Sequence, residues 1–130
     1  MPTLLDVLDS HGLASHRIRT CIIVDDERTA RKALVIMLEE AFPDMKVIAE
    51  ADSVDSAVEC ITRLKPDIVF LDIEIIGGTG FDVLKQIPSL KTVLVVLTTA
   101  NQEYGQKIDE MNLLCLFKPV DVEMLRRVLN

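Results

Sequence analysis

From about Thr20 onward the chain alternates five short runs rich in Val and Ile with stretches of helical period, and no other feature restricts the fold as much. The runs fall near 21–24, 46–50, 67–71, 92–97 and 113–117, and a helical stretch follows each. Continuous apolar runs suit strands buried on both faces, as in a parallel sheet covered by helices on either side. Crossovers between parallel strands of one sheet are right-handed, so five such βα units predict a doubly wound α/β domain.

The helical stretches carry their own signals. Ala30, Ala33, Leu34, Met37, Leu38 and Ala41 recur at i, i+3, i+4, i+7, i+8 and i+11, which predicts one core-facing stripe and leaves Arg28, Arg31 and Lys32 facing water. In the second helix Ser53 is the expected N-cap, Val54, Ala57, Val58, Ile61 and Leu64 form the stripe, and Pro66 is the stop. Gly77, Gly78 and Gly80 predict a flexible, close-fitting loop. Asp121 is placed to cap a last helix built on Val122, Leu125, Val128 and Leu129. Residues 1–19 stand outside the alternation as an N-terminal extension, where Leu4, Leu5, Val7 and Leu8 predict a short amphipathic helix. His11 and His16 lie in this extension and read as solvated.

Length and charge narrow the function classes. A chain of 130 residues with 49% hydrophobic but 4% aromatic content predicts one domain with a core of Ile, Leu and Val. Its net charge of -7 argues against gripping a nucleic-acid backbone, so any DNA contact needs a separate effector domain. Cys21, Cys60 and Cys115 sit in apolar surroundings without a CxxC pair, which predicts reduced core thiols of a cytoplasmic protein. No apolar run approaches the roughly 20 residues needed to span a bilayer, so no membrane partner is expected.

Chemistry gathers at the ends of the runs. Asp25 and Asp26 close the first, Asp72 the third, Thr98 and Thr99 the fourth, and Lys118 the fifth. In open α/β sheets ligands bind outside the carboxyl ends of the strands. If the first and third strands are parallel neighbours, their acids crowd together, and two carboxylates about 4 Å apart repel by roughly 4 kcal/mol at an effective dielectric of about 20. A hard divalent cation relieves that repulsion, and Mg²⁺ is the usual one where carboxylates meet a phosphoryl group. The pattern predicts strand order 2-1-3-4-5, a flavodoxin-like sheet, with Asp72 as nucleophile toward phosphorus and Thr99 and Lys118 beside it. A phosphoryl group on Asp72 adds negative charge that draws Thr99 and Lys118 inward, a route from modification to loop movement.

Ile22-Ile23-Val24-Asp25-Asp26-Glu27, Val69-Phe70-Leu71-Asp72-Ile73-Glu74, Thr99-Ala100 and Phe117-Lys118-Pro119 together resemble the receiver domain of two-component response regulators, over about residues 20 to 130. Within that family the stretches around Asp72, Thr99 and Lys118 look most like receivers that precede LytTR-type DNA-binding domains. The resemblance implies that Asp72 accepts phosphate from a sensor histidine kinase or phosphotransfer protein. It further implies Mg²⁺ held by Asp26, Asp72 and the Glu74 backbone carbonyl, with Asp25 acting through water, and catalysis confined to the protein's own phosphorylation and dephosphorylation. Lys118 and Thr99 would hold phosphate oxygens, Glu74 and Asn101 would tune hydrolysis, and the Lys118–Pro119 bond would be cis. A homodimer is a further partner that the family admits.

The sequence departs from that pattern in three places. Cys115 stands three before Lys118, where such receivers usually carry Tyr or Phe. Ile76 replaces a commonly found Pro, and the stretch from Thr99 to Lys118 looks about one residue short. Cys115 keeps open an alternative, a pseudo-receiver that docks partners without phosphorylation. A dehalogenase-type phosphatase is a weaker reading of Asp25-Asp26-Glu27-Arg28-Thr29, because Glu27 stands where a second Asp is needed. Gly77-Gly78-Thr79-Gly80 lacks the spacing of a dinucleotide-binding loop.

Overall fold

The computed structural model describes residues 18–129, so the expected N-terminal helix, His11 and His16 lie outside the described residues. In chain order, β1 (Arg19–Val24), α1 (Arg28–Ala41), β2 (Met45–Ala51), α2 (Val54–Leu64) and β3 (Ile68–Asp72) come first. A small hairpin of β4 (Glu74–Ile75) and β5 (Gly78–Thr79) leads into α3 (Gly80–Gln86). Then follow β6 (Leu94–Thr99), a 3-10 turn over Gln102–Tyr104, α4 (Gly105–Glu110), β7 (Leu114–Phe117) and α5 (Val122–Leu129).

The main sheet has the order β2-β1-β3-β6-β7, all pairs parallel. With the hairpin set aside, this is the order 2-1-3-4-5 that the run-end acids predict. Side chains alternate faces along a strand, so each apolar run feeds two cores. Ile22, Val24, Val69, Leu71 and Leu97 pack with Val54, Ala57, Ile61 and Phe81 of α2 and α3. Cys21, Ile23, Ile68, Phe70 and Val96 pack on the other face with Leu34, Leu38, Leu125 and Leu129 of α1 and α5. Each fully buried aliphatic side chain contributes about 1.5–3 kcal/mol. The central strands therefore form the firmest platform in the molecule.

Local signals set the helix ends. Ser53 accepts from the Ser56 N–H at 3.1 Å, and Ser56 in turn accepts from the Ser53 N–H, a reciprocal cap at the start of α2. Lys65 closes α2 at φ 47, just before Pro66. Asp121 Oδ1 accepts from the Met124 N–H at 2.9 Å, as its position ahead of α5 predicts.

Three expectations need correction. Of the α1 stripe, Leu34 and Leu38 are buried, whereas Ala33 is exposed and Ala30, Met37 and Ala41 are half-buried. The contact face of α1 is narrower than its apolar period, and its alanines border a groove instead. Arg31 does not face water; its side chain is 17% exposed and bonded to two strand ends. The glycine segment is an ordered hairpin: Ile76 N–H donates to Asp52 O and Val54 N–H to Ile76 O, tying it to the start of α2. Gly77 turns it at φ 87.

Cys21 is buried, Cys60 and Cys115 are half-buried at the margin of one core, and all are free thiols. Burial pushes Cys21 up to about 12 and Cys115 up to about 11, so both stay protonated and unreactive near neutral pH. No helix among the described residues is long and apolar enough to cross a membrane.

Candidate functional site

Parallel pairing of Val24 with Leu71 brings the residues that follow them, Asp25 and Asp72, level at one edge of the sheet. The Asp25 N–H donates to Ala51 O at 3.0 Å, which extends the β1–β2 pairing by one residue. Asp25 and Asp72 are buried and Asp26 is exposed. One oxygen from each of the three lies within 4.8 Å of the others. The crowding expected from their position after neighbouring strands is present.

Lys118, next after β7, reaches across the sheet edge. Its Nζ donates to Asp25 Oδ2 at 2.7 Å and to Asp72 Oδ2 at 3.1 Å. The Lys118 N–H donates to Thr99 O at 2.8 Å, locking the base of that side chain to β6, and the Lys118–Pro119 bond is cis. Asp25 Oδ1 accepts from the Glu27 N–H at 2.9 Å, and Asp72 Oδ1 from the Glu74 N–H at 3.4 Å. No hydrogen bond among the described residues holds the Asp26 carboxylate.

Strand alternation separates the two threonines. Thr99 lines a cleft of about 160 Å³ together with Asp26, Glu27, Asp72, Glu74, Ala100 and Lys118. Its Oγ1 accepts from the Asn101 N–H at 3.0 Å. Thr98 instead lines a larger, mainly apolar groove of about 440 Å³, bordered by Ala30, Ala33 and Met37 of α1 and by Pro119 and Val120. Glu74 and Asn101 meet at the mouth of the cleft, Asn101 Nδ2 donating to Glu74 Oε1 at 3.4 Å. Gly80 lies beneath Asp72, where a Cβ would come within 2.9 Å of the Asp72 carbonyl oxygen. Its absence of a side chain lets α3 start directly against the end of β3.

The charges are unbalanced: three carboxylates meet one ammonium. Burial drives Asp72 up to about 6, against the pull of Lys118, and the charge of Asp25 adds to the rise. Burial by itself would lower Lys118, but its hydrogen bond to Asp25 and the charge of Asp72 outweigh it and lift the ammonium above its usual range. Lys118 is therefore a fixed cation. The donors at the acidic cluster are all oxygens, which suits a hard divalent ion such as Mg²⁺. A buried carboxylate bonded to an ammonium, on a cleft that a threonine hydroxyl also lines, is an arrangement able to attack and then hold an anionic electrophile.

The residue that sequence reasoning misplaced is Arg31. Its Nη1 donates to Asp25 O at 2.7 Å and its Nε to Glu50 Oε1 at 3.1 Å. An arginine on the first turns of a helix after an acid-ended strand was the available signal; helical period alone pointed it outward.

The family model of the response regulator receiver domain matches residues 21–130. The sensory transduction protein LytT of Bacillus subtilis is 36% identical over 111 residues, 84% of this chain and 46% of that protein. An uncharacterized response regulatory protein of Vibrio cholerae is 34% identical over 112 residues, 85% of this chain and 47% of that protein. The chain thus spans about half the length of the curated relatives it matches. Among solved structures, the response regulator domain of Thermotoga maritima CheB superposes with a TM-score of 0.70 at 27% identity, covering 85% of this chain and 87% of that one. A CheY-like receiver domain from Methylobacillus flagellatus gives a TM-score of 0.75 at 23% identity, covering 86% and 96%.

Proposed function

The chain belongs to the response regulator receiver domain family of two-component signalling, and from that premise we propose that it accepts a phosphoryl group on Asp72 from a sensor histidine kinase or phosphotransfer protein. The observation that carries this reading is the cluster of Asp25, Asp26 and Asp72 with Lys118 bonded to two of its members. The receiver is assigned to residues 20–130, with 1–19 as an extension.

An Asp72 carboxylate oxygen attacks the phosphorus, the P–N bond of the phosphohistidine breaks, and the imidazole nitrogen leaves with the bonding pair. Lys118, fixed as a cation, turns from the Asp72 carboxylate to the oxygens of the transferred group. Thr99, buried at the wall of the same cleft, donates its hydroxyl to another of them. Asp25 and Asp26, Asp72 itself and the Glu74 carbonyl would hold Mg²⁺, which when bound supplies neutralisation of charge on the transferred oxygens. Glu74 and Asn101 at the cleft mouth control the approach of water to the acyl phosphate. The chain catalyses this modification and its reversal, and turns over no metabolite.

The output is a partner or a DNA-binding domain outside residues 18–129, in keeping with relatives about twice as long. The protein works in the cytoplasm, where its kinase donor is made available. Incubation with Mg²⁺ and acetyl phosphate, followed by intact-mass spectrometry, tests the reading. An acid-stable adduct, or an equal yield from Asp72→Asn, would overturn it.

A further inference from the structure

We infer that Arg31 is a positioning residue for the metal ligand Asp26, acting through the peptide bond that joins Asp25 to Asp26; the inference rests on the Mg²⁺ site proposed above. Of the three clustered acids, Asp25 and Asp72 are held by Lys118 and by backbone N–H groups. The Asp26 carboxylate is exposed and no hydrogen bond among the described residues fixes it. The position from which it reaches the ion is therefore set by the peptide before it. The carbonyl of that peptide is Asp25 O, and Arg31 Nη1 holds it at 2.7 Å.

The guanidinium is itself anchored. Its Nε donates to Glu50 Oε1 at 3.1 Å, one residue before Ala51, whose carbonyl receives the Asp25 N–H. Arg31 thus ties the first turns of α1, the end of β1 and the end of β2 into one unit around a single peptide plane. A planar fork can serve two acceptors in fixed directions at once; a lysine ammonium at the end of a flexible stem does not reproduce that geometry. Groups that orient metal ligands in this way typically alter metal affinity by about 10- to 100-fold.

Electrostatics makes the test discriminating. Removing a positive charge beside an acidic cluster should, by Coulomb attraction alone, tighten cation binding. A loss of Mg²⁺ affinity in Arg31→Met has the opposite sign and is the outcome that lost positioning predicts.

The experiment is calorimetric titration of the full chain with MgCl₂. Arg31→Met and Arg31→Lys are each expected to weaken Mg²⁺ binding by about tenfold, with circular dichroism confirming that both are folded. Arg63→Met, which removes only the exposed pair with Glu59 on α2, is expected to bind as the parent does. Unchanged or tighter Mg²⁺ binding in Arg31→Lys would overturn the inference, and so would a parent protein that binds no Mg²⁺. If Arg31→Met does not fold, Arg31→Lys and Arg31→Gln carry the comparison. The phosphorylation assay is separate: Mg²⁺ binding that weakens on Arg31 substitution, in a protein never phosphorylated at Asp72, sinks the proposed function and supports this role for Arg31.

Discussion

The two sides of the sheet edge are built to different standards. Around β1 and β3, every residue from Cys21 to Asp25 and from Ile68 to Ile73 is buried, and Lys118 and Arg31 cross-link the strand ends. Beyond Thr99 the chain makes a 3-10 turn, a six-residue helix and an outer strand with Leu114 and Phe117 exposed. Cys115 is half-buried there, and the contact of Tyr104 with Phe81, 5.9 Å between ring centres, fastens the turn to α3. Lys107 lies over the same Phe81 ring at 4.2 Å. Aspartyl chemistry needs groups held in place, whereas a region that responds to it is drawn from the less stable part of a fold. The contrast sets the proposed acceptor Asp72 among fully buried strand residues and the 101–117 segment among shorter, more exposed elements.

The largest effect expected is complete loss of the acyl phosphate in Asp72→Asn, read by intact mass. Lys118→Ala comes next. It strips the cation from two buried carboxylates, and breaking such a pair costs about 3 kcal/mol; urea unfolding at pH 7 measures it. The penalty should shrink in the Lys118→Ala, Asp72→Asn double variant, because one of the stranded charges is gone. An unshrunken penalty would mean that Lys118 acts by packing.

Gly80→Ala follows, since its Cβ would press on the Asp72 carbonyl oxygen and overpacking of this kind costs about 1–3 kcal/mol. It should also slow phosphorylation by acetyl phosphate, because the residue displaced is the acceptor itself. Asp72 makes stability depend on pH without Mg²⁺. The folded state holds this proton more tightly than the unfolded chain, so the stabilisation is complete below about pH 3.8 and is lost as pH rises through about 6. Asp72→Asn should therefore flatten that fall and gain about 1–2 kcal/mol at pH 7. A parent protein equally stable at pH 4.5 and 7.5 but for its other acids, with no difference from Asp72→Asn, would contradict the buried-charge picture.

The smallest effect concerns the other half of the comparison. Tyr104→Ala removes one tilted ring contact and should cost about 1 kcal/mol. Its signature is local: faster amide exchange over 101–117 with little change in β1 and β3. Exchange that rises evenly across the sheet would show that the two regions are one cooperative unit.

Much of the site is readable along the chain because strand ends are. An apolar run that stops at a polar residue states both where the sheet edge lies and what stands on it, so Asp25, Asp26, Asp72, the pair Thr98–Thr99 and Lys118 could be assembled before any contact was known, with the family resemblance favouring Thr99 of the pair. Period-based reasoning also recovered the caps at Ser53 and Asp121. It failed for Arg31 and Ala33 because helical period describes a helix against an average core, and the glycine loop was misjudged because glycine content does not show which segment holds a loop. Arg31 finds acceptors on two neighbouring strands, Ala33 meets a groove instead of a packed face, and Ile76 is held by Asp52 and Val54 of another segment.

The sequence by itself determined the alternation of strand and helix, the order of strands and the identity of the groups at the sheet edge. The alternation follows from local propensity, and the adjacency of the first and third strands from the acids that end their buried runs. Only the tertiary structure decided the rest: that Lys118 bonds both Asp25 and Asp72, that Thr98 turns to a separate groove bordered by α1, and that Arg31 reaches the carbonyl of Asp25. Directions and distances between side chains on separate elements depend on strand register and helix packing, which no stretch of the chain encodes alone.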